Sequence, residues 1–369
     1  MANRATLKQI ASVASTVLTS DKIGSLTYVA TYNEITNCLE KIGKQFTIKS
    51  NFTPKLTELD GEFLPYGKTV EEFYANLPSV RAYDPEGKNA LSPAYPHFAA
   101  ASWNYTIAKK TVKVTESRDR IESSCLSGEA FGAMTASIMQ GLEDAVTLYK
   151  NELKRELLGR VAEKVVNAQG SDSKTFAVST AYKVGALVNN GTTYAVVQED
   201  IAASNTTTFA DLLANGTIIA LDMVTTLAKP SDTATGEAFI ESIKKAAEEA
   251  TDAVEGKCIN GHAVESPSLV LYILHGIMPN IDVNTLAGAF NADKLALPVE
   301  VRRCKDFGTD CPTGVYAILM DSRGASLMPN HDTVDSDRNG EGEFTNFYRH
   351  VGYTAVVSRN TYTKIYKAS

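Results

Sequence analysis

Between Ser127 and Ala168 the chain reads SGEAFGAMTASIMQGLEDAVTLYKNELKRELLGRVAEKVVNA. Apolar residues fall at Phe131, Met134, Ile138, Leu142, Val146, Tyr149, Leu153, Leu157, Val161 and Val165, with every gap three or four residues. That spacing holds one stripe on one face and predicts a continuous helix over 128–167. At 1.5 Å per residue it would span about 60 Å, several times the usual three turns. Glu152 with Arg155 and Glu156 with Arg160 stand at helix-compatible spacings for ion pairs on the wet side. A helix of this length is a spine for something extended or, as second choice, half of a coiled coil. The stripe lacks the clean heptad with charged flanks that a coiled coil needs.

Either side of the helix the period changes. In WNYTIAKKTVKVTESRD, Trp103, Tyr105 and Ile107 share one face, and after Lys109 and Lys110 the apolar phase moves to Val112 and Val114. Alternation with a phase slip predicts a long, mostly exposed, bulged strand that protrudes as an arm. Upstream, Pro93 and Pro96 in KNALSPAYPHFAAAS argue against helix. Two short amphipathic stretches, TLKQIASVASTVL and TYNEITNCLEKIGKQ, open the chain, and neither is long enough to own a core. Downstream, TYAVVQEDI and TIIALDMV read as strands, TGEAFIESIKKAAEEATDAVEG as a helix ending at Gly256, and VNTLAGAFN as a short helix after Asp282. From Gly314 onward VYAILM, ASLMP and FYRHVGYTAVVSRNTYTKIY are strand-like. The fold class is α+β.

Composition narrows the function. Hydrophobic residues make up 44% and charged residues 21% of 369, an ordinary folded protein. No apolar run approaches the roughly 18 residues of a membrane span, and polar residues interrupt the N-terminus too often for a signal peptide. Five scattered cysteines (Cys38, Cys125, Cys258, Cys304, Cys311) form no disulfide framework, which points to a reducing compartment. The net charge of −7 disfavours a protein built to grip a nucleic-acid backbone.

Three motifs invite chemistry. DSDRNGEGEF begins like a calcium loop: Asp335, Asp337, Asn339 and Gly340 occupy positions 1, 3, 5 and 6. Position 12 is Asn346, which cannot chelate as a bidentate carboxylate, position 8 is Gly342, and the flanks are strand-like. A polar hairpin loop fits better. Gly67, Lys68 and Thr69 resemble the end of a phosphate loop, but Glu62 stands where the leading glycine belongs. Cys258 and His262 with Cys304 and Cys311 would suit zinc only if the fold gathered them, and no CxxC knuckle is present. Neither HExxH nor GxSxG occurs. The chain is therefore read as a non-enzyme, with no catalytic residue, no cofactor and no metal ligand nominated.

The order of elements, with YGKTVEEFYANLPSVRAYDPEG, the segment from Trp103 through the long helix, IDVNTLAGAFNAD, YAILMDSRGASLMPN and FYRHVGYTAVVSR, resembles the major capsid proteins of tailed bacteriophages. Among these it is most similar to the major head proteins of phi29-like podophages. The resemblance implies the phage Hong Kong 97-type fold: 1–55 as N-terminal arm, 56–118 as E-loop, 119–169 and 313–369 as P-domain with the spine helix, and 170–312 as A-domain. It implies a homo-oligomer of pentamers and hexamers forming an icosahedral or prolate shell around double-stranded DNA, without sequence-specific binding and without a membrane. Scaffolding and portal proteins are implied partners, and the virion, assembled in the host bacterial cytoplasm, the location. The phi29-like head protein continues into an immunoglobulin-like domain, whereas this chain stops at Ser369, so surface decoration through such a domain is not among the expectations. The acidic hairpin tip would face arginines such as Arg338 or Arg349 of neighbours. The alternatives are an encapsulin-like nanocompartment shell and, third, a metal-binding or enzymatic α/β protein.

Overall fold

In the computed structural model the apolar stripe is one helix, α1 (Gly128–Ala168). The structure describes residues 52–65, 69–75, 85, 98–100, 103–117, 128–252, 254–266, 268–286 and 297–368. The two amphipathic stretches expected near the N-terminus, together with Pro93 and Pro96, lie outside them. From Leu142 on, the stripe residues Leu142, Val146, Leu153, Leu157, Val161 and Val165 are all buried, and Tyr149 is half-buried. Beyond Asn151 a second row joins them, with Lys154, Leu158 and Ala162 fully buried. The ion pairs recorded for the helix arginines run to a loop rather than along the helix. Arg155 pairs with Asp306 (2.9 Å) and Arg160 with Asp310 (3.1 Å).

Contacts divide the chain into two units, one of Lys55–Ala108, Asn151–Asn330 and Tyr353–Ser369, the other including Lys109–Lys150 and His331–Gly352. In the first, strands β1 (Phe73–Ala75) and β2 (Phe98–Ala100) pair antiparallel, and β3 (Trp103–Thr106) follows. A four-stranded sheet is built from β5 (Lys174–Thr175), β6 (Leu187–Asn189), β7 (Tyr194–Val197) and β8 (Ile218–Ala220), in that order, β4 being the strand Lys110–Ser117 taken up below. Helix α2 (Phe209–Ala214) covers it through Phe209 and Leu212. The larger sheet uses β9 (Val224–Thr226), β12 (Leu269–Leu274), β13 (Glu300–Cys304), β14 (Val315–Asp321) and β17 (Thr363–Lys367), in the order β13-β12-β14-β17-β9. On it packs α3 (Thr233–Glu249), whose Phe239, Ile243 and Ala246 meet Leu271, Tyr316, Leu319 and Tyr366. Asp232 caps α3 by accepting from the Thr235 amide (2.9 Å).

To the second unit belong β4 (Lys110–Ser117), the part of β15 (Ala325–Asn339) from His331 on and the part of β16 (Phe344–Val357) up to Gly352, with β16 central. The strand predicted through 103–117 is interrupted where its phase slips. Thr106 pairs with Thr354 and Lys110 with Val351. Three residues intervene on one strand and two on the other, so one extra residue is absorbed.

Three expectations need correction. Helix α3 stops at Glu249, not Gly256, because β10 (Val254–Glu255) pairs with β11 (His262–Ala263) as a small hairpin. TIIALDMV is two strands, β8 and β9, in different sheets. Gln169 at the end of α1 satisfies the crossing: its Oε1 accepts from the Met223 (3.0 Å) and Val224 (2.8 Å) amides, and its Nε2 donates to Leu221 O (2.6 Å). The helix expected after Asp282 begins before it, as α4 (Ile277–Leu286).

One close approach depends on glycine. A Cβ on Gly159 of α1 would stand 2.0 Å from Phe307 O, and one on Gly308 (φ +76) 2.8 Å from Glu156 Cα. Gly141, in the same helix, has nothing within 4 Å of that position. Alanine is therefore expected to act with opposite sign at the two sites. Gly141→Ala should gain up to about 1 kcal/mol from helix propensity, and Gly159→Ala should destabilise by forcing the loop off the helix. Denaturant midpoints that move in the same direction for both would contradict this packing.

Candidate functional site

The acidic stretch is resolved into strand and turn. Asp335, Asp337 and Asn339 lie along β15, extended and exposed, and only 340–343 form the turn. Asn339 Oδ1 accepts from the Glu341 (3.0 Å) and Gly342 (2.9 Å) amides, closing the tip with its own backbone. The residue at calcium-loop position 12, Asn346, is buried and accepts from Thr115 Oγ1 (2.7 Å). An extended strand spreads its first three candidate ligands over about 13 Å, which no single cation can bridge. Asp332 holds the Arg349 guanidinium by two bonds, to Nε (3.0 Å) and Nη2 (2.9 Å). Arg349, expected to meet a neighbour's acid, is thus engaged within its own hairpin. Hydrogen bonding from Arg349 holds the Asp332 carboxyl below its usual range.

In the other unit a cluster pins the segment 55–75. Lys154 Nζ, buried on α1, donates to Lys55 O (2.8 Å) and pairs with Asp60 (2.8 Å). Glu58 reaches Arg302 of β13 (3.2 Å). Glu72 accepts from Ser358 Oγ (2.8 Å) and the Arg359 amide (3.3 Å). Asn104 on β3 exchanges two bonds with the Val70 backbone (2.9 and 2.8 Å), as a strand partner would. Arg359 lies over the Trp103 ring at 5.2 Å and Lys164 at 5.7 Å, while Arg160 lies over Tyr105 at 4.6 Å. Sequence reading missed Lys154, Glu58, Glu72 and Arg359. Only Lys154 left a signal, because Leu157 and Leu158 stand three and four residues ahead of it.

Three cysteines lie among the described residues. Cys258 and Cys304 are buried and Cys311 half-buried, all as free thiols. Burial pushes Cys258 and Cys304 up to about 12 and Cys311 to about 11, so they are protonated thiols near neutral pH. Among the described residues no three His, Cys, Asp or Glu side chains gather as a metal site, and no helix is long and apolar enough to cross a membrane. Gly67 and Lys68 lie outside the described residues.

A family model for the Phi29-like phage major capsid protein matches residues 2–361. No curated protein matches the chain in sequence. Among solved structures, a chain of the capsid of Staphylococcus phage Andhra superposes with a TM-score of 0.57 at 8% identity, covering 87% of this chain and 86% of that one. A chain from the structure of head fiber and inner core protein gp22 of native bacteriophage P68 gives 0.51 at 9% identity, covering 87% and 86%. At these identities the likeness shows a shared fold.

Two expectations follow for the hairpin. Asp335→Asn with Asp337→Asn should change unfolding free energy by no more than about 0.5 kcal/mol, and neither calcium nor a chelator should move the melting temperature. A calcium-dependent rise in melting temperature would restore the cation site. Asp332 behaves differently. Its folded pKa is depressed, so its stabilisation is complete above the unfolded value of about 3.9 and is lost as pH falls through the lower folded value. Asp332→Asn should flatten that part of the acid-denaturation profile, and an unchanged profile would contradict the pairing with Arg349.

Proposed function

Because the chain belongs to the Phi29-like phage major capsid protein family, matched over residues 2–361, we propose a division of labour within one shell subunit. Residues 1–55 act as an N-terminal arm, 56–118 as the E-loop laid over a neighbouring subunit, 119–169 and 313–369 as the P-domain around α1, and 170–312 as the A-domain at the five- and six-fold axes. The protein is a phage head protein that forms the capsid of the virion. Its copies close into pentamers and hexamers through heterologous contacts repeated about an axis. Such obligate contacts bury upwards of about 2,000 Å². Scaffolding and portal proteins guide closure in the host cytoplasm, and the shell encloses double-stranded DNA. The net charge of −7 suits a wall that must release the genome, since a strongly basic one would hold phosphate.

The family match over residues 2–361 carries this reading, and it does not favour an encapsulin-like compartment or an α/β enzyme. Negative-stain microscopy of the purified protein tests it, with closed particles expected and only monomers or amorphous aggregate as the contrary result. Two variants test the division. Deleting 83–102, which also removes β2 and its pairing with β1, should leave a soluble, folded subunit that no longer forms shells, because the other partners of that segment lie on a neighbour; unfolding of the subunit would assign it to the subunit's own core. Leu153→Pro breaks α1 at a buried position and costs about 3 kcal/mol or more. It is expected to abolish particles, and normal particles would count heavily against the spine role.

A further inference from the structure

The three-stranded part of the hairpin sheet has two open edges of opposite sign. Its order is β15-β16-β4, so β4 and the 331–339 part of β15 are the outer strands. Among the described residues nothing pairs with either outer edge. Along β15 and its turn stand Asp332, Asp335, Asp337, Glu341 and Glu343 against Arg338, and on β4 with the residue before it stand Lys109, Lys110 and Lys113 against Glu116. Lys110, Lys113, Asp335 and Asp337 are exposed, and Val334 on β15 is 57% exposed. Like-with-like pairing, β15 on β15 or β4 on β4, would set acid against acid or lysine against lysine. Pairing of β4 with β15 sets opposite signs together.

The positions agree as well as the signs. Both strands run antiparallel to β16, β15 through the hairpin and β4 by its register, so they are parallel to each other. A second copy that continued the sheet with the same face outward would therefore lay its β15 parallel to β4. Lys110 and Lys113 are three apart, as are Asp332 and Asp335. One register then sets Lys110 against Asp332, Val112 against Val334 and Lys113 against Asp335. Three residues further on it sets Glu116 against Arg338, with the signs exchanged on both strands.

Paired residues must also share a face, and they do. Lys110 and Val112 pair with Val351 and Arg349, and Asp332 reaches that same Arg349, so 110, 112 and 332 lie on one face. Thr111 and Lys113 pair with His350 and Tyr348. Thr111 Oγ1 contacts His350 Nδ1 (2.7 Å), Lys113 lies over the Tyr348 ring (5.4 Å), and Asp335 stands 3.6 Å from His350 Nε2. That puts 113 and 335 on the other.

The geometry points to edge-to-edge pairing between copies of this chain, the outer edge of β4 lying parallel to the 331–339 edge of β15 in the next copy, in the register Lys110 to Asp332, Val112 to Val334 and Lys113 to Asp335. This contact rests on the capsid reading and names one of its subunit interfaces. It is heterologous, because the two surfaces differ, and so it repeats around an axis.

The test exchanges signs in the full chain without changing net charge. Lys113→Glu with Glu116→Lys alters the β4 edge, and Asp335→Lys with Arg338→Glu alters the β15 edge. Each double variant alone sets like charges together at both positions and is expected to lower shell yield roughly tenfold at low salt, where screening is weak. All four substitutions combined restore opposite signs and are expected to recover shells. Independently, Val112→Cys with Val334→Cys should give a ladder of intermolecular disulfides on oxidation of the shells, beyond any formed by the wild type, because neighbouring strands lie about 4.8 Å apart, within the Cα separation that a disulfide spans. Shells at wild-type yield from either double variant, no recovery in the combined variant, or no ladder overturns the pairing and leaves the capsid reading intact. Failure of the wild type to form shells sinks the capsid reading and the pairing with it.

Discussion

A buried ammonium decides where the chain from Lys55 to Asp60 must lie. Lys154 is fully enclosed on α1, and an unpaired charge there would cost several kcal/mol. Lys55 O and the Asp60 carboxylate supply its partners. With Asp60 held, Leu59 is driven fully inside, and Glu58 meets Arg302 on β13. Asp60 bridges to Leu327, and the Gly61 and Leu64 amides donate to Leu327 O (3.0 Å) and Pro329 O (2.8 Å). One helix residue thus ties α1, β13 and the start of β15 through a segment with almost no regular structure of its own.

The parts legible in the sequence were those governed by period. The stripe of α1 is a single helical repeat, and the slip after Lys109 in an alternating strand is the one-residue bulge between β3 and β4. The hairpin tip was legible from Asn339, Gly340 and Gly342, although Asp335 and Asp337, expected in its loop, lie on strand β15. What escaped was decided by tertiary partners. TIIALDMV is apolar enough for one strand, but Gln169, far away in sequence, takes its backbone bonds at the crossing. Alanine and glutamate after Glu249 favour helix as strongly as those before it, but the chain turns at Thr251 and Asp252, whose amides bond Glu248 O and Glu249 O, and enters the β10–β11 hairpin. The helix arginines had acidic neighbours at local spacing yet pair with Asp306 and Asp310, on the loop that Gly159 and Gly308 allow close to the helix. Arg349 had acids on its own hairpin, and within the chain it is Asp332 that holds it.

The burial along β16 changes partway. Residues 351–357 are all buried, whereas of 344–350 only Asn346 is. Beyond Asn330 nearly every residue of β15 is exposed, and β4 exposes Thr111, Lys113 and Thr115 while half-burying Val112 and Val114. A three-stranded ribbon with so little cover of its own is marginal in water. Its hydrogen bonds hold, but few side chains bring apolar burial to offset the entropy of ordering it. Such a ribbon is reasonable in a protein whose copies surround one another, and hazardous in one that works alone, because open edges recruit any strand they meet.

Charge resolves that hazard without closing the edge. Lysines along one edge and aspartates along the other oppose pairing of like edges and admit pairing of unlike ones, so the same residues that prevent indiscriminate aggregation give association a direction. Each exposed pair contributes no more than about 1 kcal/mol, and a single contact of this kind stays reversible. A ring or shell repeats it once per copy, so correct geometry is rewarded many times while one misplaced subunit is held weakly enough to leave. Directional but individually weak contacts are what an assembly requires if it is to correct its errors before it closes.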